Sequence, residues 1–93
     1  MDFTHDSNRI ALYDKEGRVT AEVTFPDVDT ETVNMGHTFV DDSLRGQGVA
    51  GQLMKAAAEQ LRSQKKKAVL TCSYAVNWFG KHPEYKDVVK EQG

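Results

Sequence analysis

A chain of 93 residues is long enough for one small domain and too short for a two-domain enzyme. Its 39% apolar content is typical of globular proteins, and its formal net charge of -2 argues against a dedicated nucleic-acid binder. A single cysteine excludes an internal disulfide, and the sequence lacks an export signal or a membrane-spanning apolar run, so we expect one cytoplasmic domain over residues 1–93.

The first part of the chain predicts three extended segments. Residues 9–14 contain a short apolar run and end at a polar turn with Gly17. Residues 19–25 alternate apolar and polar side chains, as in a strand with one wet face, until Pro26 ends the pattern. Residues 32–40 are rich in Thr, Val and Phe. Together these segments predict an antiparallel meander.

A change of periodicity predicts a helix after the meander. Apolar residues recur at three- and four-residue spacing from Val49 to Leu61, and the helix should end near residues 63–66. Residues 68–72 then form a short apolar run typical of a buried strand. A strand, a helix and a strand in this order predict a right-handed crossover between parallel neighbours, so the sheet should be mixed. Residues 75–89 predict a last helical segment interrupted at His82-Pro83.

Two glycines, Gly46 and Gly48, lie between the third extended segment and the helix. Unpaired N–H groups collect at a helix N-terminus, and glycines let an anion approach them closely. Arg45 adds a guanidinium that suits a phosphoryl oxygen. The segment lacks the Gly-Lys-Ser/Thr ending of a P-loop, and the preceding meander lacks the βαβ unit of a dinucleotide site. We therefore expect a pyrophosphate site here, with a plain tight loop as the alternative.

Three motifs carry a resemblance to a known family. The run Arg45-Gly46-Gln47-Gly48-Val49-Ala50 resembles the Arg/Gln-x-x-Gly-x-Gly/Ala turn of GCN5-related N-acetyltransferases. His37-Thr38-Phe39-Val40 with Cys72-Ser73, and His82-Pro83-Glu84-Tyr85, resemble the small single-domain subgroup, so nearly the whole chain is covered. The resemblance implies an α/β (α+β) fold, in which a mixed, mostly antiparallel sheet has a parallel, splayed strand pair and flanking helices.

The same resemblance implies acetyl-CoA, or coenzyme A, as the cofactor. Pantetheine would lie in the gap between the splayed strands, and the pyrophosphate would lie on the glycine turn. No metal is expected. The residues predicted to bind the cofactor are Phe39, Val40, Arg45, Gly46, Gln47, Gly48, Val49, Ala50 and Asn77.

Two side chains, His37 and Cys72, are the candidates for catalysis. Cys72 lies near the end of the predicted parallel strand, where α/β sheets place ligands, and the crossover could bring His37 to the same opening. We expect His37 to be the general base or thiol activator, and Cys72 a transient acyl acceptor or a pocket wall. A backbone N–H of Phe39 or Val40 is expected to stabilise the oxyanion. An inert buried cysteine and a partly exposed strand histidine are the structural alternatives.

The predicted function is transfer of acetyl from acetyl-CoA to an amine. The resembling family uses a Glu or an ordered water as base and a Tyr as acid, but residues 37–40 contain no Glu, and Tyr74 and Tyr85 compete for the second role. Larger members cover the acceptor site with N-terminal helices. No helical periodicity precedes Arg45, so we expect an open site for an amine such as that of a protein or peptide.

Two other classes of function remain as alternatives. A non-catalytic acyl-CoA-binding or interaction module is favoured by the missing Glu. Binding of nucleotides or nucleic acid through the glycine turn and the cluster Lys65-Lys66-Lys67 is the other, and the net charge argues against it. We expect neither a nucleic-acid nor a membrane partner.

Overall fold

Strands and helices follow one another in the order that a mixed α/β domain requires. The structure, a computed structural model, describes residues 2–90. Its elements are β1 (Thr4–Asp6), β2 (Arg9–Tyr13), β3 (Val19–Thr24), β4 (Thr32–Met35), β5 (His37–Val40), α1 (Val49–Gln64), β6 (Lys67–Leu70) and α2 (Ser73–Gly80). Short 3₁₀ helices form at Asp42–Leu44 and Pro83–Val88. None of the helices in this part of the chain is long and apolar enough to cross a bilayer.

An antiparallel sheet contains β1, β2, β3 and β5 in that order. The β2–β3 hairpin turns at Gly17, whose φ of 83° is readily adopted by glycine, as the turn prediction required. Strand β1 was not predicted, because all three of its side chains are polar and exposed. It forms by pairing with β2, and Gln60 of α1 supports it, since Gln60 Oε1 accepts a hydrogen bond from His5 Nδ1 at 2.6 Å.

The extended segment 32–40 divides at Gly36 into two strands that belong to different sheets. Strand β4 pairs with β6 in parallel, whereas β5 pairs with β3 antiparallel. The predicted parallel pair and the mixed arrangement are therefore confirmed, but the prediction of one continuous strand over residues 32–40 is wrong. Beyond Gly36 the chain leaves β6, and β5 and β6 belong to separate sheets, which leaves between β5 and residues 70–72 the unpaired space that we call the gap.

Contacts around Gly36 close the narrow end of this gap. The backbone N–H groups of Thr71 and Cys72 both donate to the Met35 carbonyl, each at 3.2 Å, and Thr71 Oγ1 donates to Asn34 Oδ1 at 2.8 Å. A Cβ atom at residue 36 would lie 2.7 Å from Thr71 Oγ1, closer than real Cβ contacts. Only glycine fits here without displacing the Thr71 side chain.

Helix α1 packs the predicted apolar face against the sheets and so places its N-terminus beyond the end of β5. The buried side chains of that face are Val49, Leu53, Met54, Ala57, Ala58 and Leu61. Helix α2 buries Trp78 and Phe79 in the same core, and the Trp78 ring stacks on His82 at 3.9 Å. Burial of these side chains is the main stabilising contribution.

Substitution of Gly36 by Ala is expected to lower the free energy of unfolding by about 1–3 kcal/mol, because the added methyl group overlaps Thr71 Oγ1. Removing that oxygen with Thr71→Ala in the same chain should recover part of the loss. Urea denaturation of the two single variants and the double variant measures this coupling. Gly80→Ala is the control, since a Cβ there would meet nothing within 4 Å. Strictly additive effects would contradict the steric explanation.

Candidate functional site

The edge of β5 that faces away from β3 forms one wall of the gap. Asp41 donates its N–H to the carbonyl of Thr20, directly opposite, at 2.7 Å. Because hydrogen-bonded and non-bonded pairs alternate in an antiparallel ladder, the backbone groups of Phe39 bond to β3, and those of Thr38 and Val40 face the gap. Of the two amides proposed as oxyanion donors, Val40 is therefore the one on the gap side.

The glycine loop, residues 45–50, lies at the wide end of the gap. Gly46 and Gly48 have φ values of 80° and 72°, and a Cβ at either would meet nothing within 4 Å. Gly48 is the N-cap of α1 and supplies no side-chain hydrogen bond, and no acidic residue lies in the first turn of the helix. The loop thus presents the positive end of α1 to open space, as an anion site requires.

A cavity of about 260 Å³ joins this loop to the gap. Val40 of β5, Gly48 and Val49 of the loop, and Tyr74 of α2 line it. Val49 is buried and fixes the start of the helix. The cavity therefore connects the exposed helix N-terminus with the edge of β5, and an elongated ligand with an anionic group fits this shape.

The polar side chains of the glycine loop lie at the surface. Arg45 Nε pairs with Asp42 Oδ1 at 2.9 Å, but both side chains are about four-fifths exposed, so this pair holds the guanidinium only weakly. Gln47 donates through its backbone N–H to the Leu44 carbonyl at 3.3 Å. Arg45 can therefore turn toward an anion, whereas the Gln47 amide already has a partner.

Cys72 lies on the helix side of the gap. Its Sγ is 3.7 Å from Thr38 Oγ1, and its side chain packs against the core together with Val40. Burial raises the pKa of the Cys72 thiol, but the backbone N–H of Ala75, the Thr38 hydroxyl and the N–H of Tyr74 more than offset burial, so the pKa lies below its ordinary value. The thiol is polarised by the start of α2 and not by a histidine.

His37 lies on the opposite face of the sheet, which we call the outer face. Side chains alternate along β5, so His37 and Phe39 point away from the face occupied by Thr38 and Val40. His37 Nε2 is 3.2 Å from Glu22 Oε2 of β3, and the imidazole is 55% exposed. It borders a cavity of about 290 Å³ next to Gly36.

The expected pairing of His37 with the Cys72 thiol is therefore not formed. The two side chains flank the narrow end of the gap from opposite faces, because a one-residue step along β5 changes the face of the sheet. His37 lines a cavity beside Gly36 and Thr71, and the Cys72 Sγ lies next to Thr38. The prediction that His37 activates the thiol has no contact to support it.

Two tyrosines that the sequence could not separate have different environments. Tyr85 is 6% exposed, and its hydroxyl donates to Glu59 Oε2 at 2.6 Å, so it is a packed residue. Tyr74 is 40% exposed and lines the cavity beside the glycine loop. Asn77 is exposed one turn further along α2, beyond the residues that line this cavity.

The lysine cluster lies far from the glycine loop along the strands. Lys67 begins β6, at the end of the parallel pair that is remote from the gap, and Lys66 Nζ donates to Asp27 Oδ1 at 2.9 Å. The glycine loop lies beyond the opposite end of β5. These residues therefore do not form one phosphate site with the glycine loop.

Comparisons with known proteins agree with this geometry. A family model described as GCN5-related N-acetyl-transferase matches residues 9–88. Protein NATD1 of Xenopus tropicalis is 39% identical over 56 residues, which are 60% of this chain and 51% of that protein. The chain thus covers about half the length of the curated relatives it matches.

Two solved structures extend the comparison to three dimensions. A GCN5-like protein from Staphylococcus aureus, determined by NMR, superposes with a TM-score of 0.80 at 34% identity, covering 99% of this chain and 90% of its own. A GNAT family N-acetyltransferase from Escherichia coli, crystallised in complex with CoA, has a TM-score of 0.57 at 29% identity. That alignment covers 67% of this chain and 38% of the E. coli chain.

Proposed function

Because the chain belongs to the GCN5-related N-acetyltransferase family, we propose that it binds acetyl-CoA and transfers the acetyl group to an amine. The observation that carries this proposal is the continuous path from the open glycine loop at the N-terminus of α1 to the unpaired edge of β5. The helix N-terminus at one end of this path suits a pyrophosphate. The unpaired strand edge at the other end suits a thioester.

The residues at the site fit coenzyme A on structural grounds. Gly46 and Gly48 leave open the space that a Cβ would fill, and the first turn of α1 supplies N–H donors for the pyrophosphate. Arg45, whose ion pair with Asp42 is exposed and weak, can turn to add a charged contact. The backbone of Val40 faces the position of the pantetheine arm. The E. coli relative crystallised with CoA supports the same ligand.

The proposed reaction is direct transfer across the gap. When bound, acetyl-CoA supplies a thioester whose carbonyl carbon accepts the lone pair of the amine, so that a C–N bond forms and the C–S bond breaks. A backbone N–H on the gap side of β5 stabilises the developing oxyanion, and His37 accepts the proton of the amine. The Tyr74 hydroxyl, in the cavity on the helix side, protonates the departing thiolate. Cys72 forms a wall of the gap, since His37 does not contact it.

The outer face of the sheet favours a large acceptor. Tyr13 and Phe39 are 41% and 39% exposed, and His37 is 55% exposed on the same face, so within residues 2–90 this face is accessible. A small molecule usually needs an enclosed pocket for affinity, whereas a polypeptide can bind along an open surface. We therefore propose that the amine belongs to a protein or peptide.

Two measurements on the same protein test this function. Titration with coenzyme A, followed through backbone amide signals, should shift the signals of residues 46–51 and of Val40. Release of free thiol from acetyl-CoA should then depend on an added amine or peptide. Binding with no turnover on any amine would support the non-catalytic acyl-CoA module instead. An absence of both binding and turnover would contradict the whole proposal.

A further inference from the structure

His37, the proposed general base, has a defined contact with a carboxylate on the neighbouring strand. We propose that Glu22 is the positioning residue of the transfer reaction, since it holds His37 in the tautomer whose Nδ1 is free to accept the proton of the amine. This inference rests on the proposed function and adds a residue to it. Sequence alone did not identify Glu22, because it occupies an ordinary polar position in the alternation of β3.

The Glu22 carboxylate is bound at both of its oxygens. Arg9 Nε donates to Oε1 at 2.7 Å, and His37 Nε2 lies 3.2 Å from Oε2. The Arg9 guanidinium is itself oriented, since its Nη1 donates to the Tyr13 hydroxyl at 2.8 Å. These contacts connect β2, β3 and β5 across the outer face. A carboxylate with a separate partner for each oxygen has little rotational freedom, so its direction toward His37 is fixed.

The charge of Glu22 determines which imidazole nitrogen carries hydrogen. The hydrogen bond from Arg9 lowers the pKa of Glu22, partial burial opposes this effect, and the contact with His37 lowers the pKa further. The carboxyl group is therefore ionised near neutral pH and can only accept hydrogen bonds. His37 Nε2 must then be the donor. In the neutral imidazole this leaves Nδ1 with a lone pair.

The pair formed by Glu22 and His37 is positioned relative to the gap as a general base requires. Glu22 is directly opposite Phe39 in the β3–β5 ladder, so the carboxylate lies on the outer face beside the strand that forms the gap wall. The Glu22 side chain is 22% exposed, whereas His37 is 55% exposed. The carboxylate is thus shielded behind the imidazole, and an amine arriving at this face meets His37 first.

The test compares Glu22→Gln with Glu16→Gln, a change of equal charge in the β2–β3 turn, where Glu16 is 70% exposed. In ¹⁵N spectra of the unliganded protein, neutral His37 should be in the Nε2–H tautomer. Glu22→Gln should give a mixture of tautomers, because an amide can donate or accept. In thiol-release assays Glu22→Gln should lower kcat by about ten- to a hundredfold, with the affinity for coenzyme A unchanged. Glu16→Gln should change neither result.

Each outcome bears on a different claim. A wild-type tautomer in Glu22→Gln, or an unchanged kcat in that variant, would overturn the positioning role and leave acetyl transfer intact. If Glu22→Gln and Glu16→Gln both weakened coenzyme A binding to the same extent, the cause would be a general effect of charge. That result would also overturn the positioning role of Glu22. A wild-type protein that binds coenzyme A and acetylates no amine would overturn the proposed function, and with it this inference.

Discussion

Replacement of His37 by Gln is expected to lower kcat for acetyl transfer by about 10²- to 10⁴-fold, the usual contribution of a general base. The affinity for coenzyme A should not change, because His37 lies on the outer face and the glycine loop lies beyond the other end of β5. Gln can still donate a hydrogen bond to Glu22, so the outer face keeps its contacts. Thiol release at saturating acetyl-CoA measures kcat, and calorimetric titration measures the affinity.

Cys72→Ala is the matched comparison for this variant, since Cys72 flanks the same part of the gap from the helix side. If Cys72 is a wall, the variant should retain transfer, and intact-mass spectra of the wild-type protein with acetyl-CoA should show no acetylated cysteine. Loss of transfer in Cys72→Ala together with full activity of His37→Gln would reverse the two assignments and restore the covalent route.

Replacement of Gly48 by Ala is expected to weaken coenzyme A binding by about ten- to a hundredfold. The new methyl group meets no protein atom within 4 Å, so it enters the space proposed for the pyrophosphate. It also opposes the positive φ of 72° and shifts the N–H groups at the start of α1. Loss of one or two charge-assisted hydrogen bonds accounts for the size of the effect. Calorimetric titration with coenzyme A measures it.

Gly17→Ala provides a control for the backbone strain. Gly17 has a φ of 83° in the β2–β3 turn, and a Cβ there also meets nothing within 4 Å. Both substitutions should lower the free energy of unfolding by about 1–2 kcal/mol. Only Gly48→Ala should change the dissociation constant of coenzyme A. Equal dissociation constants for the two variants would place the pyrophosphate elsewhere.

The features that the sequence predicted well are those encoded by neighbouring residues. Apolar residues at three- and four-residue spacing predict the buried face of α1, because the α-helix completes a turn within four residues. The glycine loop is predicted for a similar reason, since its two positive φ angles fall on Gly46 and Gly48. The resemblance to the acetyltransferase family, which depends on this loop, is confirmed by the match of the family model.

The features that the sequence did not predict depend on pairing between distant residues. The division of the strand at Gly36 follows from its contact with Thr71. The face of the sheet on which His37 lies depends on the strand register, and a shift of one residue would reverse it. For the same reason the contact between Glu22 and His37 could not be predicted from the sequence. Strand β1 forms through its partner β2 and has no apolar pattern of its own.

The placement of His37 and Cys72 on opposite faces bears on the order in which the two substrates of the proposed reaction can bind. Donor and acceptor then have separate entrances, one beside the helices and one across the strands, so neither has to depart before the other arrives. A ternary complex is thereby possible in a domain this small, and turnover does not require the protein to store the acyl group between two half-reactions.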